Sequence, residues 1–106
     1  MFTNKDQFRK FRVQLERLMN RCQLTRYALA QIAGLNPSSV YRIMSGERDP
    51  SRGVVLSLAA ALLDYSLLVT QRDIELLIKS SKYPPPHPVQ FEEIRQNLKR
   101  EPNRII

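Results

Sequence analysis

The chain has 106 residues, 42% of them hydrophobic, which suits one domain with a small core. Its 17 lysines and arginines exceed its 10 acidic residues, for a net charge of +7. One cysteine and one histidine exclude an internal disulfide and a structural zinc site built from such ligands. We expect a cytoplasmic protein with no membrane contact, since no apolar run approaches the ~20 residues of a membrane span and the N-terminus is too polar for a signal peptide.

The first predicted helix runs from about Lys5 to Arg21. Apolar residues at steps of three and four give it one buried stripe, formed by Phe8, Phe11, Leu15, Leu18 and Cys22. Three arginines off this stripe, at positions 9, 12 and 17, are expected to lie on a solvated face.

Residues 25–50 predict two short helices joined by a tight turn. Ala30 and Ala33 are small enough for a second helix to cross closely. Gly34 has no Cβ, so it can end the first helix in the left-handed conformation. Asn36 is suited to the N-cap of the second helix and Pro37 to its first turn, where no N–H donor is needed. The pattern is therefore that of a helix-turn-helix unit.

The second helix of this unit has one apolar and one polar face. Val40, Ile43 and Met44 are spaced to face inward. The outer face consists of Pro37, Ser38, Ser39, Tyr41, Arg42 and Ser45. It offers hydrogen-bond donors and carries no carboxylate, as a helix that enters the major groove of DNA requires.

Two more helices are predicted before residue 82. Ser51 can cap a fourth helix, whose buried positions are Val55, Leu58, Ala59 and Leu62. Thr70 and Asp73 form a capping-box pattern at the start of a fifth, which ends near Lys79.

Beyond these helices the composition changes. Residues 83–88, YPPPHP, contain four prolines and predict an extended spacer, and His87 is expected to be part of this spacer rather than a ligand or a catalyst. An amphipathic helix from about Gln90 to Arg100 follows, with Phe91, Ile94 and Leu98 on its apolar side. The predicted organisation is thus a DNA-binding domain at 1–82, a spacer at 83–88 and a tail at 89–106. The tail is left with three possible partners: its own domain, a second copy, or another protein.

The helix-turn-helix segment resembles the lambda repressor and Cro-like (XRE) family of DNA-binding domains. The matching positions are Leu24, Thr25, Leu29, Ala30, Gly34, Leu35, Val40, Ile43, Gly46, Pro50 and Ser51, within a similarity that extends from about Phe8 to Ile78. The resemblance implies an all-α, five-helix domain, here followed by the spacer and one more helix. Two positions depart from the family pattern: Arg26 replaces the usual glutamine, and Ser45 stands where a charged residue is frequent.

The same resemblance, together with the outer face, gives the candidate site. The residues expected to read bases are Pro37, Ser38, Tyr41 and Arg42. The residues expected to contact DNA phosphates are Arg26, Asn36, Ser39, Arg48 and Arg52. The loop that carries Arg48 passes along the DNA in this family, and Glu47 and Asp49 are expected to pair with its arginines or to steer them.

The function expected from these features is sequence-specific regulation of transcription by a homodimer on double-stranded DNA. The basic charge supports a polyanionic partner, since residues 1–52 hold ten basic and four acidic side chains. The alternative is an antitoxin or adaptor whose tail binds a protein. We expect no enzyme, cofactor or metal, because the sequence has no glycine-rich phosphate loop and no nucleophile, histidine and acid combination.

Overall fold

The computed structural model describes residues 7–100, without the side chain of Arg100, and within this range the chain forms six helices and no strand. The prediction of an all-α chain is confirmed. The helices are α1 (Arg9–Cys22), α2 (Arg26–Ile32), α3 (Pro37–Ser45), α4 (Arg52–Tyr65), α5 (Gln71–Ser80) and α6 (Pro88–Arg100). The predicted start of α1 at Lys5 lies outside the described residues, and α1 begins at Arg9. No helix in the described range is long and apolar enough to cross a membrane.

The core lies between α1, α4 and α5, with α2 and α3 packed on one side. On α1, Phe11, Leu15 and Leu18 are fully buried, as their spacing predicts, whereas Cys22 is only partly buried against the core. The four predicted core residues of α4 are also buried. So are Leu56, Ala60 and Ala61, which the sequence analysis did not place in the core. The reason for this wider burial is that α6 packs against α4 as well.

Helix α6 packs on its own domain and thereby uses the apolar side of the predicted tail. Phe91 is buried, and Ile94 and Leu98 pack against the core cluster. Beside them Arg95 donates two hydrogen bonds to Asp64 Oδ1, at 2.9 and 2.6 Å, and this interaction raises the pKa of the guanidinium. Of the three possible partners, the described structure shows the first. The division of the chain at residues 82 and 88 stays a prediction.

The start of α6 corrects one expectation about the proline-rich segment and adds a contact of His87. The helix begins at Pro88 rather than Gln90, because proline is well suited to the first helical position. His87 is part of this helix start. Its Nδ1 accepts a hydrogen bond from the N–H of Val89 at 3.1 Å, and its carbonyl accepts one from the N–H of Phe91 at 3.0 Å. His87 therefore caps α6, and its assignment as spacer rather than ligand or catalyst stays a prediction.

Helix α5 begins with the predicted capping box, which is confirmed. Thr70 Oγ1 accepts from the N–H of Asp73 at 3.1 Å, and Asp73 Oδ2 accepts from the N–H of Thr70 at 2.9 Å. Arg21, at the end of α1, donates to the same Asp73 oxygen at 2.8 Å. The Thr70 N–H contributes most to lowering the Asp73 pKa below its ordinary value of 3.8, and the Arg21 charge adds to this against the effect of burial. This carboxylate thus joins α1 to α5.

Asp73→Ala should lower the free energy of unfolding at neutral pH by about 1 kcal/mol, the typical cost of a lost capping side chain. Because the Asp73 pKa is lowered in the folded state, its contribution is complete above pH 3.8 and is lost as the pH falls through the folded pKa. The difference in the free energy of unfolding between the wild type and the variant, measured with urea, should therefore become smaller in acid. Glu75→Ala on the exposed side of α5 is the control and should change little; an equal loss in both variants would contradict the role of the cap.

Phe91→Ala should destabilise the whole domain by about 3 kcal/mol, because a buried phenylalanine of the core cluster is removed. Val89→Ala, at a side chain that is 61% exposed, is the matched control on the same helix and should leave the midpoint of thermal unfolding nearly unchanged. A Phe91→Ala variant as stable as the wild type would mean that α6 does not pack on α4 in solution.

Candidate nucleic-acid interface

Helix α2 is the first helix of the predicted helix-turn-helix unit. It begins at Thr25, whose Oγ1 accepts a hydrogen bond from the N–H of Ala28 at 3.0 Å and so satisfies one of the free N–H groups of the first turn. Leu29 and Ala30 are fully buried, and α2 packs against both α3 and α4. One face of α2 is thereby fixed to the domain.

The turn after α2 depends on Gly34, which has a φ of 68° as predicted. The N–H of Gly34 donates to Gln31 O at 3.2 Å, and the N–H of Leu35 donates to Ala30 O at 2.8 Å. This pair of bonds is the Schellman arrangement, which satisfies the last carbonyls of a helix and requires the left-handed residue. Leu35 is then partly buried against the core, which sets the direction in which the chain leaves the turn.

Helix α3 begins as the sequence predicts. Asn36 Oδ1 accepts from the N–H of Ser38 at 2.8 Å, and Pro37 occupies the first helical position. Val40, Ile43 and Met44 are all buried, so the predicted inner face is confirmed. This apolar side determines which residues of α3 point away from the domain.

The outer face of α3 is open to solvent. Ser38, Tyr41, Arg42 and Ser45 are exposed, with Tyr41 at 46%, while Pro37 and Ser39 are partly buried. The four candidate base-reading residues are therefore consecutive or one turn apart on a single short helix. Their interaction with bases stays a prediction.

The loop after α3 returns to the side of the helix. Gly46 takes a φ of 89°, and the N–H groups of Glu47 and Arg48 both donate to Arg42 O, at 2.9 and 3.1 Å. Arg48 Nη1 then donates to Ser39 Oγ at 3.2 Å. Two predicted phosphate contacts thus lie against each other, which brings a second guanidinium to α3.

The remaining candidates differ in their surroundings. Asn36 is exposed beside its capping interaction. Arg26 Nη2 lies 4.0 Å from Glu16 Oε1, and both side chains are largely exposed, so this pair is weak. Arg52 donates to the carbonyls of Pro84 and Pro85 at 3.1 and 3.3 Å. Arg52 therefore holds the proline-rich segment, and no local sequence pattern predicts this contact.

One arginine lies closer to α3 than the sequence analysis expected. Arg12 is partly buried rather than solvated, and atoms of its guanidinium are 3.8 Å from the position that a Cβ on Gly46 would occupy. A side chain on α1 therefore supports the end of α3. The residue is off the apolar stripe of its own helix, so periodicity alone could not reveal this contact.

Charge is distributed unequally around the site. In residues 7–100, neither Arg42 nor Arg48 is within ion-pair distance of a carboxylate, and the expected pairing of arginines with Glu47 and Asp49 is not observed there. Two guanidinium groups beside the exposed face of α3 are thus left available to an anion. The described residues contain no group of three histidine, cysteine or acidic side chains placed to hold a metal.

Comparison with known proteins agrees with this geometry. A family model described as a helix-turn-helix domain matches residues 10–63. Searches among curated proteins and among solved structures gave no match. The matched range contains α2, the turn and α3, and it ends within α4, so that α5 and α6 lie outside it.

Gly34→Ala should destabilise the domain by about 1–2 kcal/mol, because the left-handed conformation is less stable by this amount for an L-residue with a side chain. Space does not cause the loss, since the nearest atom to an added Cβ, Leu98 Cδ2, is 3.6 Å away. Gly53→Ala is the matched control inside α4, where φ is not positive and the same change should be neutral or stabilising. Thermal unfolding measures the melting temperatures of both variants, and equal values would contradict a left-handed Gly34 in the turn between α2 and α3.

Proposed function

Because the chain belongs to the helix-turn-helix domain family, we propose that it is a sequence-specific DNA-binding regulator of transcription, acting in the cytoplasm. In this proposal the domain is of the lambda repressor and Cro-like (XRE) type. It binds double-stranded DNA with α3 in the major groove, which is wide enough to admit one helix.

The observation that supports this function best is the exposure and the charge of the outer face of α3. Its outer face is open to solvent and carries no acidic residue. Arg42 lies on this face and Arg48 beside it, and neither forms an ion pair within the described range. In the same range α6 packs on α4 and the polar face of α3 stays exposed. A duplex therefore has an open surface to approach, with two guanidinium groups that can contact it.

In this proposal the bases are contacted by residues on the outer face of α3. Arg42 has the strongest claim, since an arginine can donate two hydrogen bonds to O6 and N7 of guanine. Ser38 can donate to or accept from a base edge, and Tyr41 can contact a thymine methyl group or a phosphate. Pro37 contributes shape at the start of the helix.

Phosphate contacts fix the register of the helix in the groove. Arg48 is the best supported of these residues, because the hydrogen bond to Ser39 holds it beside α3. Arg26 and Asn36 add phosphate contacts at the N-terminal ends of α2 and α3. Arg52 is the least favoured, since it would have to exchange two backbone carbonyls for a phosphate.

The protein acts as a dimer in this proposal, and its operator is nearly palindromic. Two copies of α3 then enter successive major grooves, ~34 Å apart along the duplex. The adaptor alternative is not favoured, because the apolar side of the tail on which it depended is packed within the chain.

Arg42→Ala and Arg48→Ala should have different effects on DNA binding. The preferred site is first obtained by selecting bound oligonucleotides from a random pool. Arg42→Ala should relax the preference at one base position, a loss of about 1–3 kcal/mol of discrimination. Arg48→Ala should weaken binding to all sequences and reduce the slope of log affinity against log salt by about 0.9.

Arg72→Ala is the control, since this exposed arginine lies on α5 and outside the proposed surface. Electrophoretic mobility shifts over a salt series measure all three variants. Failure of the wild type to enrich any sequence from the pool would refute the proposed function, and unchanged discrimination in Arg42→Ala would remove α3 as the base-reading helix.

A further inference from the structure

An open cavity of about 810 Å³ lies between α5, the proline-rich segment and α6. Cavities of roughly 300–1,000 Å³ are the size that small-molecule ligands occupy in proteins. The helix-turn-helix match at residues 10–63 ends before α5, so that it does not extend to this part of the chain. We call it the α5–α6 cavity. Its apolar lining consists of Ile74, Ile78, Tyr83, Pro85, Pro86 and Phe91.

The wall formed by the proline-rich segment is fixed by contacts at the end of α5. Lys82 takes a φ of 72°, which turns the chain out of the helix. Ser81 Oγ then accepts a hydrogen bond from the N–H of Tyr83 at 3.2 Å. The ring of Tyr83 packs on that of Phe8, with the ring centroids 5.8 Å apart. Because the cavity is formed before a ligand arrives, binding costs little ordering of the protein.

Two of the five charged side chains that line the cavity are engaged within the fold. Arg95 Nη2 lies 2.6 Å from Asp64 Oδ1, and Arg95 Nη1 lies 3.3 Å from Glu92 Oε1. The second oxygen of Glu92 accepts a hydrogen bond from Gln96 Nε2 at 2.8 Å. Arg95 and Glu92 thus have partners already, and a charged ligand would have to use the other three groups.

These three groups are Glu75, Lys79 and Lys82. All are exposed, and none forms an ion pair in residues 7–100. The lysines are adjacent at the end of α5, where the N–H of Lys82 donates to Lys79 O at 3.1 Å. Glu75 lies one turn earlier, so two positive charges stand against one negative charge. An apolar cavity with two adjacent ammonium groups is complementary to an apolar molecule that carries one carboxylate.

Hydrogen bonds connect the cavity to the candidate DNA-binding surface. Tyr83 Oη donates to Pro50 O at 2.7 Å. Arg52 donates to two carbonyls of the proline-rich segment, at 3.1 and 3.3 Å. Pro50 and Arg52 follow directly on the loop that carries Arg48. A ligand that binds one arrangement of the proline-rich segment more tightly than another therefore shifts the position of the loop beside α3.

We propose that the α5–α6 cavity binds a small apolar carboxylic acid and that this ligand regulates DNA binding. The regulation rests on the proposed function, whereas the binding site does not depend on it. The apolar body of the ligand occupies the lining between α5 and α6, and its carboxylate contacts Lys79 and Lys82. DNA and the acid change each other's affinity by the same factor, since coupling between two sites is reciprocal.

The probe for the binding site is naphthylacetate, which joins an apolar two-ring group to one carboxylate. Titration into the full chain, followed by NMR of the backbone amides, should give saturable shifts concentrated in residues 74–91. Naphthylacetamide has nearly the same shape without the charge. It should bind at least about tenfold more weakly, because it forms no charged hydrogen bond with the lysines.

The variant with both Lys79→Gln and Lys82→Gln tests the position of the carboxylate. It should bind naphthylacetate as weakly as the wild type binds naphthylacetamide. Lys99→Gln is the matched control, an exposed lysine on α6 that does not line the cavity, and it should bind like the wild type. Because all three lysines are exposed, the melting temperature should stay the same in both variants. A loss of binding then reports a lost contact and not a lost fold.

Several results would overturn the binding site. They are the absence of saturable shifts with naphthylacetate, equal affinity for naphthylacetamide, and undiminished affinity in the double lysine variant. Naphthylmethylamine carries a positive charge on the same ring system. Tighter binding of this amine would refute a carboxylate ligand and would assign the charged contact to Glu75.

DNA binding tests the regulation separately. Saturating naphthylacetate should change the affinity of the wild type for its selected site by at least about fivefold in mobility shifts. Tyr83→Phe keeps the ring and removes the hydrogen bond to Pro50, so this factor should be smaller in that variant. An unchanged DNA affinity with the acid bound would refute the regulation and leave the proposed function. A wild type that binds the acid and selects no DNA sequence would refute the proposed function and leave the binding site.

Discussion

The geometry of the candidate site depends on one constrained residue, Gly34, in the left-handed conformation. Its φ allows the N–H of Leu35 to close the last turn of α2 on Ala30 O, and the chain then reverses into the cap at Asn36. The direction of α3 follows from this reversal and from its three buried apolar residues. Leu98 of α6 also lies beside Gly34, so the far end of the chain supports the same turn.

Five arginines of the described residues differ in what they contact. Arg21 and Arg95 are paired with carboxylates and connect helices, while Arg52 holds the proline-rich segment through carbonyl oxygens. Arg42 and Arg48 have no such pairing in the described part of the chain, and both lie at α3. The number of arginines taken from composition therefore overstates the number of guanidinium groups that are available to a polyanion, because part of them is engaged within the fold.

Local signals made the helix-turn-helix unit predictable from sequence. The caps at Asn36 and Thr70 and the left-handed Gly34 each depend on residues within five positions of one another, so a short sequence pattern contains them completely. The contacts of Arg52 with the prolines and of α6 with α4 join residues more than 30 positions apart, and no local pattern encodes them. The start of α6 was placed two residues late because the prolines beside His87 indicate a spacer, whereas the second of them starts a helix.

The position of α6 decides which surfaces remain for assembly. Any partner that uses Phe91, Ile94 and Leu98 must first remove them from the core cluster, and it must also break the Arg95 pair with Asp64.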